Sequence, residues 1–126
     1  MHDLVSNIGP KQVLAPAVQA ASIDGAVIDR KGFESVTYIL NSGAIVGAGL
    51  FGAKLQSSDD GTTWTDVPAV YLIGTLPAAI EANKVYKAGY IGHKQFTKLV
   101  VTKTSGTSVA LSAEAVLGHA HARPVA

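Results

Sequence analysis

The chain has 126 residues and no cysteine, with ten Lys plus Arg against nine Asp plus Glu; 15% of it is charged and 48% hydrophobic. One domain is expected at this length, a disulfide framework or thiolate metal site is excluded, and basic residues this scattered argue against a nucleic-acid partner. A small domain with so few charges is expected to cover part of its surface with a partner.

Residues 1–20 contain Pro10 and Pro16 and little regular patterning, which predicts an extended N-terminal arm with one or two short strands. Leu4, Val5, Ile8, Val13 and Leu14 are its candidate anchors on a partner or sister-subunit surface. The opening MHDLVSNIGP has no basic stretch followed by an apolar run, so no secretory signal is expected. A β-domain over residues 21–118 follows. Asp24-Gly25 carries a turn signal between short apolar runs. FESVTYILN, residues 33–41, alternates Val36, Tyr38 and Leu40 against Ser35 and Thr37, as a half-buried strand does.

From Ser35 to Ala53 nineteen residues run without a charge, enough to span a bilayer. Asn41-Ser42-Gly43 interrupts them, and Gly47, Gly49 and Gly52 follow. Two strands joined at a turn over 41–43 are expected instead, and no membrane partner. GAGLFG, residues 47–52, matches G-x-G-x-x-G, but no helix-forming stretch follows, so a glycine-rich strand is expected rather than a dinucleotide site.

SSDDGTTW, residues 57–64, reads as Ser57-x-Asp59-x-Gly61-x-Thr63-Trp64, the Asp-box pattern. Asp60-Gly61 is a strong hairpin pair, the hydroxyls and carboxylates can satisfy turn N–H groups, and Trp64 is expected to pack largely buried on the sandwich. One copy in so short a chain cannot build a propeller; the box is expected to be a structural hairpin. Thr75 to Asn83 is the one predicted helix, with Thr75 as cap and Pro77 in the first turn. In TSVALSAEAVLG, Val109, Leu111, Ala113, Ala115 and Leu117 share one face, with TSGTS, residues 104–108, as the hairpin turn before them. HAHARPVA, residues 119–126, is expected to be a C-terminal tail.

Roughly seven to nine short strands separated by turns predict an all-β chain, a single antiparallel β-sandwich or barrel-like domain with one short helix and extended terminal arms. His119-x-His121 lacks the further ligands a metal site needs, His2 and His93 stand apart, and Asp24, Asp29, Asp59, Asp66 and Glu81 lie mostly in turn-rich sequence. No metal, no cofactor and no catalytic residue is expected. The Pro-punctuated VLAPAVQAA is expected to pack against sister subunits, a homotrimer favoured over a dimer.

SIDGAVIDRKGFESVTYILNSGAI, KLQSSDDGTTWTDV and the stretch from Tyr86 to Val125 together resemble the small head decoration, cement or minor capsid proteins of tailed bacteriophages. The resemblance covers roughly residues 22–125 and rests on Asp24-Gly25 near Asp29-Arg30, the strand from Phe33, Ser58-Asp59-Asp60-Gly61 before Trp64, and Tyr90-x-Gly92 before Phe96. Lys94 and Lys98 stand where the pattern favours Arg. The resemblance implies a non-enzymatic virion protein, made in the host cytoplasm, that binds the major capsid protein on the capsid exterior. Two alternatives remain open: a carbohydrate-binding β-sandwich, since the hairpin-Trp and YIGHKQFTKLVV order is also similar to discoidin-like modules, and a tail or neck component.

Overall fold

The computed structural model describes residues 3–120. Ten strands form two antiparallel five-stranded sheets packed face to face. Sheet A holds β1 (Gly9–Gln19), β10 (Ser108–Ala120), β4 (Phe33–Val46), β8 (Val85–Tyr90) and β7 (Leu72–Ile73), in that order. Sheet B runs β2 (Ile23–Asp24), β9 (Phe96–Ser105), β5 (Leu50–Ser58) and β6 (Thr65–Asp66), and β3 (Ile28–Asp29) also pairs with β9.

Alternation places the core. From β4, Val36, Tyr38 and Leu40 point inward, and from β10 Val109, Leu111, Ala113, Ala115 and Leu117 do, as the period-2 pattern predicts. Sheet B answers with Phe51 and Leu55 of β5 and Leu99 and Val101 of β9. A side-chain hydrogen bond crosses this core: the Tyr38 and Thr97 hydroxyls lie 2.6 Å apart, both residues fully buried. Burial pushes the Tyr38 phenol well above its usual value, an effect partly offset by the Thr97 bond and the Arg30 charge.

Most of the expected arm is a strand. Gly9–Gln19 pairs with β10 along its length, and Val13 and Leu14, each 5% exposed, belong to the core. The prolines read as arm signals because Pro withholds an N–H, but an edge strand tolerates that loss on its open side. Register shifts between Gln12 and Leu14 and between Leu14 and Ala17 break the alternation that would have marked a strand. The chain then crosses to sheet B at Gly25. A Cβ there would stand 2.4 Å from a Val13 methyl and 3.1 Å from the Leu99 carbonyl, so the crossover needs a residue without one. Asp24-Gly25 is accordingly no hairpin turn: Asp24 continues the pairing with β9, and the Gly25 N–H reaches the Leu99 carbonyl at 2.7 Å.

The turn expected at 41–43 lies instead at Gly47-Ala48, both at positive φ (62° and 53°), which suits a two-residue hairpin. Asn41-Ser42-Gly43 continues β4 through a bulge opposite Ala110. The Ser42 hydroxyl is used there to donate to the Glu81 carbonyl and to accept from the Lys84 N–H. No helix forms over 75–83. Ala53 N–H donates to the Pro77 carbonyl at 2.9 Å and Ile80 N–H to the Phe51 carbonyl at 2.8 Å, so this segment lies along the outer edge of β5. Its buried anchor is Ile80. A two-turn helix gains too little to compete with backbone pairing at an open sheet edge. Among the described residues the helical content is two single 3-10 turns, Val5–Asn7 and Ala69–Tyr71, and no helix is long and apolar enough to cross a membrane. The hairpin expected over 104–108 is present between β9 and β10. The boundary expected after residue 118 shifts, because β10 runs to Ala120; the remaining tail, His121 included, lies outside the described residues.

Candidate functional site

The Asp-box hairpin leaves β5 at Ser58. The fully buried Ser58 hydroxyl donates to Asp60 Oδ1 (2.9 Å) and accepts from the Asp60 and Gly61 N–H groups (3.2 and 2.9 Å). Asp60 Oδ1 in turn accepts from the Thr62 and Thr63 N–H groups at 2.8 and 2.9 Å. These donors, Thr63 first, hold the exposed Asp60 carboxyl well below the usual carboxylate range. The polar work therefore falls on Ser58 and Asp60, one residue on from the Ser57 and Asp59 of the motif spacing. Ser57 is buried and faces the core side opposite Thr97, while Asp59 is exposed.

Trp64 is half-buried, not enclosed as expected. It lies on the outer face of sheet B, with Lys98 Nζ 4.6 Å from its ring centroid. Lys98 is itself held by Asp24 at 3.1 Å. Beside it Asp66 takes Gln56 Nε2 at 2.9 Å and pairs with Lys54 at 3.2 Å; these two partners, Gln56 first, lower its carboxyl. A sugar platform needs an aromatic face open to a ligand, and Lys98 occupies a face of this one.

The motif elements from distant parts of the sequence meet at one pole of the sandwich. Arg30 donates to the Lys94 and Gly92 carbonyls (2.9 and 3.1 Å) and stacks 4.9 Å from the Tyr90 ring centroid. The Tyr90 hydroxyl accepts the Lys94 N–H at 3.1 Å. Asp29-Arg30 and Tyr90-x-Gly92 thus form one clamp, and its contact at Lys94 uses the backbone, so Lys in place of Arg leaves it intact.

Exposed aliphatic side chains gather at the same pole. Gly9, Leu117, Val36, Tyr90 and Leu72 make one row across sheet A. Leu4 and Val5 precede that row, Ile91 follows it, and Val70 stands just before β7. Val5 is 82% and Val70 72% exposed, Leu4 and Ile91 more than half. Of the five expected anchors, Leu4 and Val5 are therefore free to meet a partner, Ile8 is half-buried, and Val13 and Leu14 are not available. Val70 and Ile91 escaped the sequence reading because only strand pairing brings them to the same end of sheet A as the N-terminal segment. Among the described residues no three His, Asp or Glu side chains are grouped to hold a metal.

No family model and no curated protein matches this sequence. Solved structures do share its architecture. A chain of the disulfide-linked pili of Bacillus endospore appendages is 12% identical, with TM-score 0.51, 89% of this chain and 88% of that one covered. The VP2 chain of an infectious bursal disease virus subviral particle is 7% identical with TM-score 0.50; the match covers 90% of this chain and 33% of that longer one. The SPBc2 prophage-derived protein YomS is 11% identical with TM-score 0.49, covering 92% and 98%. At these identities the likeness is one of fold, a two-sheet β-sandwich.

Proposed function

We propose that this chain is a non-enzymatic structural protein of a tailed-phage virion that seats on the outer capsid surface and stabilises contacts between capsomers. The carrying observation is the apolar pole, where Leu4 and Val5 at the β1 edge and Val70 and Ile91 at the β7–β8 edge stand exposed at one end of sheet A, the clamp lying on the β8 side. Four exposed aliphatic residues from separate parts of the chain stand at one end of the sheet, where a partner that spans that end would cover them together. The sequence resemblance supplies the kind of partner, the major capsid protein. Sandwiches of this architecture also serve as building blocks in a pilus and a viral particle, an analogy of fold. No reaction is needed: a protein that binds the closed shell more tightly than the loosened one stabilises it by that difference.

The test mixes purified protein with undecorated heads and reads occupancy and heat resistance. Full-length protein is expected to bind and to raise the temperature at which heads open. Val5→Asp combined with Ile91→Asp is expected to abolish binding while leaving the melting temperature of the free protein unchanged. Deleting residues 9–15 is a different experiment, because it removes half of β1 and unfolds the domain. Heads that take up no full-length protein would sink the decoration reading and favour a tail or neck position.

A further inference from the structure

The outer face of sheet A carries a second pattern, which adjoins the pole at Ile91. One row across it reads Gln12, Glu114, Ile39, Lys87 on β1, β10, β4 and β8. Glu114 and Lys87 are exposed, one strand to either side of Ile39, and neither has an ion pair or side-chain hydrogen bond among the described residues. The neighbouring row reads Val116, Thr37, Gly89, and the row on the other side Ser112, Asn41, Val85. Two grooves flank β4. One, of about 240 Å³, has Ser112 and Glu114 in its lining and Lys11 at the β1 side. The other, of about 440 Å³ and mainly apolar, has Gly89 and Lys87 in its lining.

We propose that two copies of this chain pair face to face through sheet A, about a two-fold axis that lies between the two facing sheets, parallel to β4 and over Ile39. That rotation exchanges β10 with β8 of the other copy at every row. Glu114 then faces the second copy's Lys87, twice. Val116 faces the open space over Gly89, and Val85, 68% exposed, faces the groove over Ser112. Ile39 meets its own symmetry mate. Stacked sheets lie about 10 Å apart, a gap that a Lys and a Glu side chain pointing at each other bridge together. Charge and shape are thus self-complementary about one axis, which is what an isologous interface requires. A three-fold arrangement places no such axis on β4, so this geometry selects a dimer over the trimer expected from the apolar N-terminal segment.

The experiment is sedimentation of the full chain over a range of micromolar concentrations, without heads, so that its outcome is separate from capsid binding. Wild type is expected to sediment as a dimer. Glu114→Lys and Lys87→Glu each turn two attractions into two repulsions and are expected to raise the dissociation constant at least about tenfold. Mixing the two single variants is expected to restore the dimer, since each unlike pair then has both contacts attractive; the double variant is expected to dimerise alone. Both side chains point to solvent, so thermal unfolding checks that the fold is intact. A wild-type monomer or trimer, unchanged association of either single variant, or no recovery on mixing would overturn the proposal.

Discussion

A single carboxylate oxygen organises the tip of the β5–β6 hairpin. Asp60 Oδ1 sits where the Thr62 and Thr63 N–H groups converge, with the buried Ser58 hydroxyl behind it. The ionised carboxyl accepts these three bonds more strongly than the neutral acid does, so the folded state depresses its proton affinity relative to the unfolded chain. The resulting stabilisation is fully present above the ordinary value of 3.8 and is lost as pH falls below it toward the folded value. The urea midpoint of wild type should therefore exceed that of Asp60→Asn near neutral pH, and the gap should narrow as pH falls from about 5 to about 2. A gap that stays constant would place the turn's stability in groups other than this carboxyl. The turn was legible from Asp60-Gly61; which Ser and which Asp serve it was not. Two serines and two aspartates stand adjacent there, and spacing cannot say which pair turns toward the N–H groups.

At the scale of elements, β1 is where sequence reading and structure part most clearly. Its two prolines and two bulges hide the period of two, yet Val13 and Leu14 fill core positions that no other strand reaches. By contrast β10 and the first half of β4, which alternate without interruption, are where the pattern put them. The segment Thr75–Asn83 has local helix propensity but is claimed by the edge of β5, a competitor that lies far away in sequence. The Val13–Gly25 contact allows a sharp check on β1. Gly25→Ala should destabilise by about 1–3 kcal/mol, because the new methyl meets a Val13 methyl and a backbone carbonyl. Val13→Ala removes the methyl and should cost about 2–3 kcal/mol on its own. In the double variant the added and removed groups meet, so its cost should fall short of the sum by on the order of 1 kcal/mol. Strict additivity in denaturant unfolding would mean that the two residues do not touch.

Between the two sheets, apolar contact is joined by a buried side-chain hydrogen bond, Tyr38 to Thr97. Tyr38→Phe leaves the Thr97 hydroxyl buried without its partner and should cost about 1–3 kcal/mol. Adding Thr97→Val removes the stranded group, so the double variant should be no less stable than Tyr38→Phe alone. A double variant that is markedly weaker would show that Thr97 has a second role in the core. The fold class was legible from strand patterning and turn residues. The surfaces were not: the apolar pole and the Glu114–Lys87 row exist only once register is set, because they join residues far apart in sequence.

β10 lies between β1 and β4, and it is the last of the ten strands to leave the ribosome. Until it emerges, β1 has no neighbour in sheet A and one side of β4 is open, although both strands were made long before. The core side chains of β10 are missing as well, so no partial sandwich can close early. Folding of this domain therefore waits until β10 is available. A chain truncated within β10 keeps two bare strand edges and an open core, the kind of product that aggregates or is degraded. The arrival of β10 thus acts as a gate on folding of the whole sandwich.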